Sequence, residues 1–314
     1  EQYLCFQFSA LPETFFKGIY KLEPAHCMTV RADGTTETER YWRPTYDFDQ
    51  NRSREDTVEA IDAAMRESVR YHNVADVEVG SFLSSGIDSS YMAACLAKEN
   101  PDIKTFTVGF AEYEGERDEI SWARELADEL HIENNSKHIG EEEYWESLPR
   151  VQWHMDEPSA DPSAVALYFV DQEAAKKVKA VLSGEGADEL FGGYWIYHDQ
   201  FEFGKYFKVP RPLRAAAGAV AEKLPPFHGR RFAMRGSGGP EKSYQRASMN
   251  YMWDEIPNVL KDYDGPCKPW EWCKPHFDEA AKQDIDIITQ TQYVDMVSYM
   301  PFDICLKADK MSMS

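Results

Sequence analysis

Three apolar runs in the middle of the chain are each followed by a segment with helical spacing. The runs are residues 77–83 ("VEVGSFL"), 104–110 ("KTFTVGF") and 179–184 ("KAVLSG"), and the helical segments are 89–98, 119–131 and 187 onward. A weaker strand is predicted at 136–139 and further helices at 141–153 and 163–178. This alternation predicts an α/β fold, a parallel sheet with helices on both faces. In such sheets, ligands bind beyond the carboxyl ends of the strands.

The segments that flank this alternation have other patterns. Residues 1–43 contain short aromatic and β-branched stretches, starting with "YLCFQFSA", which predict a short antiparallel β piece. Residues 44–56 are polar and aperiodic and are interpreted as a linker to one domain over 57–314. That domain opens with a predicted helix whose N-cap is Asp56 or Thr57 and whose apolar positions are Val58, Ile61, Met65 and Val69. The pattern is mixed at 201–284 and helical again at 285–310.

The end of the first run carries a cluster of small polar residues. Ser84, Ser85 and Gly86 are predicted to form the turn, and Asp88 and Ser89 to open the helix. Backbone amides at such a helix start point outward and favour a phosphate group, and serine hydroxyls can donate to its oxygens. Asp88 would repel phosphate unless a cation such as Mg²⁺ lies between them. The alternative is an ordinary helix capped by Ser or Asp.

A second cluster follows the third run, in "VLSGEGADELFGGY". Ser183 and Gly184 end the strand, Glu185 and Asp188 follow, and the pair at 192–193 is expected to stop the helix quickly. Two acid-bearing loops at the carboxyl ends of one parallel sheet favour a shared Mg²⁺–nucleotide site. Asp88 and Asp188 could then both bind the ion.

Two other motifs do not predict a binding site. "GSGGPEKS" (236–243) nearly matches a phosphate loop, but Glu241 replaces its second glycine and no strand precedes it, so a surface loop is expected. Cys267, Cys273 and His276 have no common zinc spacing and no evident fourth ligand.

The composition of the chain limits the classes of partner that can be expected. The 314 residues carry a net charge of −21, which repels nucleic acid and anionic lipid, so neither nucleic acid nor a membrane is expected as a partner. The six cysteines are scattered and the first residues lack an export signal, so we expect a cytoplasmic protein. The sequence does not determine the oligomeric state, and a homodimer is one possibility.

The motifs resemble a known family. "SSGIDSS" (84–90) is similar to the SGGxDS pyrophosphate loop of the ATP-pyrophosphatase (PP-loop, adenine nucleotide alpha hydrolase-like) fold, with Ser85 where glycine is usual. In order, "TFTVGF", "DEPSADPSAVALYFV", "VLSGEGADELFGGY" and "KADKMSMS" resemble the synthetase domain of glutamine-dependent (class B) asparagine synthetases. Residues 3–28 are similar to the closing strands of the preceding glutaminase domain, and the resemblance is weak only across 201–284.

The resemblance implies a reaction and a set of site residues. The aspartate side chain attacks the α-phosphorus of ATP to give β-aspartyl-AMP and pyrophosphate, and ammonia derived from glutamine then displaces AMP. ATP and Mg²⁺ are the implied cofactors. The implied roles are nucleotide binding by Leu83, Ser84, Ser85, Gly86, Asp88, Ser89, Val108, Ser183 and Gly184, metal binding by Asp88 and Asp188, and a catalytic role for Glu185 in placing aspartate or ammonia. The loop at 156–163 is expected near the substrate.

Two features of the family have no match in the chain. No residue corresponds to the N-terminal cysteine nucleophile of the glutaminase, and the sequence ends before the family's arginine-proline segment and later lysine. Lys307 and Lys310 are the nearest cations, but the resemblance assigns them no role. We therefore expect the chain by itself to bind Mg-ATP weakly and to turn over poorly.

Three other functions stay open at this point. A β-lactam synthetase-like enzyme also adenylates a carboxylate, but that type lacks the acidic "SGEGADE" form. Another ATP-pyrophosphatase amidotransferase, acting on tRNA or a purine, is disfavoured for tRNA by the net charge. The third alternative is a non-catalytic module that senses a nucleotide. The paired acids disfavour it, because binding alone does not need a second loop with a carboxylate. The acceptor could also be a carboxylate on a larger molecule, and the nitrogen donor could be free ammonia.

Overall fold

The computed structural model describes residues 2–9, 12–49, 51–113, 118–244, 251–263, 265 and 268–314. The strands are β1 (His26–Val30), β2 (Thr36–Arg40), β3 (Val79–Phe82), β4 (Lys104–Phe110), β5 (Glu133–Ile139) and β6 (Ala180–Leu182). The helices are α1 (Gln2–Phe6), α2 (Arg54–His72), α3 (Ile87–Glu99), α4 (Glu119–Leu130), α5 (Glu141–His154), α6 (Ser163–Ala175), α7 (Ala187–Phe191), α8 (Ile196–Tyr206), α9 (Arg211–Lys223), α10 (Arg230–Arg235), α11 (Pro240–Ser243), α12 (Ile256–Val259), α13 (Trp270–Ala280), α14 (Ile287–Val297) and α15 (Cys305–Ser312). Short 3₁₀ turns lie at Ala111–Tyr113 and Ala281–Gln283, and a π-helical turn at Met300–Ile304 precedes α15.

The chain divides into two compact units. The sheet unit comprises Asp47–Asp156, Pro162–Glu185 and Lys307–Ser314, and the helical unit comprises Glu1–Tyr46, Glu157–Asp161 and Gly186–Leu306. The predicted domain limits at 43 and 57 remain a prediction. None of the helices in the described ranges has the length and apolar character of a bilayer span.

The sheet unit confirms the predicted α/β fold. Its four strands are all parallel and lie in the order β5-β4-β3-β6, flanked by helices. β3 is central and short, and its first three residues are buried, as expected for a strand covered on both faces. An apolar cluster fills the space between the sheet and its helices, with Val69, Leu83, Ala93, Leu96, Ile103, Ala123 and Ala127 among its members.

Two details of the sheet unit differ from the sequence predictions. α2 begins before residue 57, because Ser53 is its N-cap and its hydroxyl accepts the Asp56 N–H at 3.0 Å. The choice of Asp56 or Thr57 as the cap was therefore wrong. Of the apolar positions at helical spacing, Val69 is buried, whereas Val58 is 57% exposed. β5 is longer than predicted, since its first half is polar and gives a weak strand pattern.

The helical unit begins with a helix, so the predicted strand at "YLCFQFSA" was wrong. Phe6 and Phe8 are buried and contact Trp272 with ring centroids 5.2 and 6.0 Å apart. Packing against a distant aromatic residue thus overrides the local strand-like pattern. The antiparallel pair β1 and β2 does form as predicted, and Arg40 of β2 donates to both carboxylate oxygens of Glu279 on α13 at 2.9 Å.

The expectation of a surface loop at 236–243 was also wrong. Ser237 and Ser243 are buried, and the loop carbonyls accept hydrogen bonds from two buried arginines. Arg214 donates to the Gly236 carbonyl at 2.6 Å, and Arg235 donates to the Ser243 carbonyl at 2.7 Å. A helix, α10, precedes this segment, in agreement with the prediction that no strand leads into it.

A buried carboxylate joins three parts of the helical unit. Asp295 on α14 is fully buried and accepts hydrogen bonds from the Tyr197 hydroxyl at 2.6 Å and the Tyr244 hydroxyl at 2.5 Å. Because a buried charged group must be hydrogen-bonded to be tolerated, these two phenols hold α8 and the end of α11 against α14.

Replacing Tyr197 with Phe should lower the free energy of unfolding by about 1–3 kcal/mol, because the buried Asp295 carboxylate loses a donor. Urea unfolding followed by circular dichroism measures the change. Tyr41→Phe is the matched control, since Tyr41 is 69% exposed and its loss should cost less than about 0.5 kcal/mol. Equal stability of the two variants would contradict the assignment.

Candidate active site

The turn between β3 and α3 is held by its own serine hydroxyls. The Ser84 N–H donates to the Ser89 hydroxyl oxygen at 3.0 Å, and the two hydroxyls are 2.8 Å apart. The Gly86 N–H donates to the Ser84 hydroxyl oxygen at 3.1 Å. These contacts fix the turn from Ser84 to Ser89 before any ligand is present.

The same contacts determine which amides are available to a ligand. The amides of Ser84 and Gly86 are already used, whereas those of Ser85, Ile87, Asp88 and Ser89 find no acceptor among the described residues. Gly86 is the N-cap of α3 and supplies no side-chain cap, so the interpretation as a Ser- or Asp-capped helix was wrong. Backbone amides without an acceptor at the start of a 13-residue helix are groups that favour an anion.

Ser85 needs no glycine-like conformation here. It is not among the non-glycine residues with positive φ, so a serine can occupy the position without strain. Its side chain lies beside Glu119, the first residue of α4. Desolvation raises the pKa of the Glu119 carboxyl, and the Ser85 hydroxyl offsets part of that effect.

The second Ser-Gly turn lies against the first. A Cβ atom on Gly184 would be 3.0 Å from the Ser89 nitrogen and 3.2 Å from the Asp88 Cβ. This close approach follows from the register, in which Leu182 of β6 pairs with Ser81 of β3. Ser183, Gly184, Asp88 and Ser89 are therefore brought together within the sheet unit, as the sequence predicted.

The other predicted site residues lie at different places. Val108 is in the second half of β4, where it pairs with Lys137. Glu185 follows Gly184 and is the last residue of its segment of the sheet unit, whereas Asp188 belongs to the helical unit. The two aspartates predicted to share a metal ion thus belong to different units.

The structure also shows how Asp188 is held. Gly192 has φ 69° and ends α7, as predicted, and the Gly193 N–H donates to the Asp188 carbonyl at 2.9 Å. A Cβ on Gly193 would lie 2.0 Å from an Asp188 carboxylate oxygen, so any residue other than glycine would displace the Asp188 side chain. Glu189 is fully buried and accepts from the Tyr194 hydroxyl at 2.9 Å, a structural role the sequence analysis missed although this acid is in the same motif.

Comparison with known proteins decides the family. The asparagine synthase family model matches residues 60–314. The chain belongs to the asparagine synthase family. It is 39% identical over 316 aligned residues to "Asparagine synthetase [glutamine-hydrolyzing] 1" of Bacillus subtilis, covering 100% of this chain and 49% of that protein. A "Putative asparagine synthetase [glutamine-hydrolyzing]" of Mycobacterium tuberculosis is 36% identical over 323 residues, covering 100% of this chain and 48% of that protein. "Amidase chry2" of Gibberella zeae is 33% identical over 58% of this chain and 30% of that protein.

The chain thus spans about half the length of the two synthetase relatives. The family assignment confirms the predicted resemblance, and the parallel sheet is the PP-loop fold of the asparagine synthase domain.

In this asparagine synthase domain, the first two acids of the 156–163 loop, Asp156 and Glu157, form ion pairs. Asp156, which has φ 62°, pairs with Lys310 of α15, and this contact lowers the pKa of its carboxyl. Glu157 accepts from Lys21 at 2.5 Å and from the Phe15 N–H at 3.0 Å within the helical unit. Both acids therefore have structural partners, which does not favour a direct role in chemistry.

The described residues contain no group of three or more His, Cys, Asp or Glu side chains arranged to hold a metal ion. Cys267 lies outside the described residues. Cys273 is buried and its thiol contacts the carbonyls of Glu241 and Trp270 at 3.5 and 3.4 Å, and burial raises its pKa. The thiol is therefore uncharged and suited to packing rather than to zinc binding. No disulfide joins the five cysteines that the structure describes.

Replacing Gly184 with Ala should separate the two Ser-Gly turns by a few tenths of an ångström and lower the free energy of unfolding by about 1–3 kcal/mol, because the added methyl meets backbone atoms of Ser89. The measurement is urea unfolding at neutral pH. Gly140→Ala is the control, since a Cβ there meets nothing within 4 Å and should cost at most about 1 kcal/mol. A Gly184 variant as stable as the control would show that the turns do not touch.

Proposed function

We propose that the chain carries the ATP-dependent half of an enzyme that amidates aspartate to asparagine. In this proposal, the aspartate side-chain carboxylate attacks the α-phosphorus of ATP, releasing pyrophosphate and forming β-aspartyl-AMP. Ammonia derived from glutamine then displaces AMP. The observation that carries the proposal is the contact between the two Ser-Gly turns beside the exposed amides of α3. Membership of the asparagine synthase family supports the choice of reaction.

The turn geometry suits a pyrophosphate leaving group. We propose that the four available amides, of Ser85, Ile87, Asp88 and Ser89, donate to the β- and γ-phosphate oxygens, with the positive end of the α3 dipole behind them. Holding these groups leaves the α-phosphorus accessible to the incoming carboxylate. In the structure, the hydroxyls of Ser84 and Ser89 bond to each other and to backbone groups of Gly86. Their donation to phosphate oxygens stays a prediction.

The backbone positions Leu83 and Val108 are proposed to contact the adenosine portion of ATP, and Ser183 and Gly184 to line the same pocket. Leu83 extends the β3–β4 ladder by one residue, since its N–H donates to the Phe106 carbonyl at 2.9 Å. It therefore lies at the carboxyl edge of the sheet, where ligands of this fold class bind. Glu185, next to Gly184, is proposed to place aspartate or ammonia.

The Asp88 carboxylate in the sheet unit is the kind of oxygen ligand that magnesium prefers. Asp88 is exposed in the first turn of α3, beside amides proposed to bind phosphate, where a lone carboxylate would repel the nucleotide. A hard cation that takes oxygen ligands removes this repulsion and neutralises charge on the phosphates when bound. We propose Asp88 as its ligand, and Asp188 stays a predicted second ligand in the helical unit.

The reaction is tested with the full-length protein, ATP, Mg²⁺, aspartate and ammonia. AMP and pyrophosphate should form in equal amounts and only when aspartate is present, because the acyl adenylate needs that carboxylate. Ion-pair chromatography separates them from ADP and phosphate. Formation of ADP, or formation of AMP at a rate that does not depend on aspartate, would refute the proposed reaction.

Replacing Asp88 with Asn should reduce AMP formation by about 100-fold or more, because the proposed metal ligand is lost. Folding should be unaffected, since the side chain is exposed. Asp102→Asn is the control, because it removes the same charge from an exposed position beyond the other end of α3. Unchanged rates in the Asp88 variant across a Mg²⁺ titration would refute the metal assignment.

A further inference from the structure

A threonine on the neighbouring strand reaches the base of the phosphate-binding turn. The Thr107 hydroxyl, in β4, donates to the Leu83 carbonyl at 2.6 Å. Thr107 is 2% exposed, so no water competes for this carbonyl. A buried hydrogen bond of this length restricts the rotation of the peptide that follows Leu83.

That peptide is held at its other end as well. Its N–H is the Ser84 amide, which donates to the Ser89 hydroxyl oxygen at 3.0 Å. The plane between Leu83 and Ser84 is thus fixed by Thr107 on the carbonyl side and by Ser89 on the amide side. The orientation of the residues that follow in the turn, including the amides at the start of α3, depends on this peptide plane.

The direction of the Thr107 proton is set by a third residue. The side-chain amide of Asn134, in β5, donates to the Thr107 hydroxyl oxygen at 2.9 Å and to the Thr105 hydroxyl oxygen at 3.1 Å. Because Thr107 accepts from Asn134, its single proton is committed to Leu83. The three residues form a chain of hydrogen bonds from the outer strand to the turn.

We propose that Thr107, oriented by Asn134, is a positioning residue for the polyphosphate of Mg-ATP. It touches neither substrate nor metal and acts through the Leu83–Ser84 peptide, whose fixed plane aims the amides of Ser85, Ile87, Asp88 and Ser89 at the phosphates. The inference rests on the proposed function, because it assumes that these amides bind pyrophosphate. It adds a residue that neither the motif nor the family resemblance singles out.

Thr105 supplies a matched control within the same strand. It is fully buried, accepts from the same Asn134 amide, and donates to the Glu133 carbonyl at 2.9 Å, but it makes no contact with the turn. Thr105→Val and Thr107→Val therefore remove equivalent buried hydroxyls while keeping the side-chain shape. The Thr107→Ser variant keeps the hydroxyl and loses only a methyl group.

The experiment measures binding of Mg-ATP and of Mg-pyrophosphate to the full-length protein by titration calorimetry, together with urea midpoints and the KM values of AMP formation. Both valine variants should lower the midpoint. Thr107→Val alone should weaken both ligands by about tenfold and raise KM for ATP without changing KM for aspartate. Thr107→Ser should restore binding, which a loss of packing alone would not do.

The outcomes separate this inference from the proposed function. If the unmodified protein binds neither ligand, the proposed function fails. If it binds them and Thr107→Val binds as tightly as Thr105→Val, the positioning role is wrong. Should Thr107→Val not fold, Asn134→Ser makes the same test, because it frees the Thr107 proton to rotate. That variant should weaken Mg-pyrophosphate by about threefold, and unchanged affinity would overturn the inference.

Discussion

The parallel pairing of β3 with β4 on one side and β6 on the other determines where every proposed nucleotide contact lies. Parallel strands present their carboxyl ends at one edge, so the turn after β3 and the turn after β6 must meet there. They meet at Gly184, where the absence of a side chain lets the second turn approach the Ser89 amide. The same pairing places Thr107 of β4 under the first turn.

The proposed nucleotide site in an acidic protein depends on such local geometry. With a net charge of −21, the overall field opposes a nucleotide, so the attraction has to come from oriented amides and from a cation held near them. The turn keeps those amides oriented because its other polar groups, in Ser84 and Ser89, form hydrogen bonds with each other. The serines thus contribute rigidity, and the amides that they leave available are those expected to contact phosphate.

The parallel sheet and the two turns could be predicted because their signals are local. Buried strands are continuous apolar runs, and turns and helix starts carry their own residue types. The helix at Gln2–Phe6 and the buried loop at 236–243 could not, since each depends on a distant partner, Trp272 in one case and Arg214 in the other. For the same reason, the motif "TFTVGF" contains Thr107 but does not indicate its role, because the contact with Leu83 exists only in the observed register of β3 and β4. Ser85 departs from the motif in the sequence, and its backbone conformation shows that the position does not require glycine.

The claim that the chain serves carboxylate adenylation is tested most directly by following oxygen. Aspartate labelled with ¹⁸O in its side-chain carboxylate is supplied with ATP, Mg²⁺ and ammonia to the full-length protein, and the AMP is analysed by mass spectrometry. Attack of the carboxylate on the α-phosphorus followed by displacement of AMP transfers one labelled oxygen to each AMP formed. Unlabelled AMP, or label appearing in inorganic phosphate instead, would contradict this account.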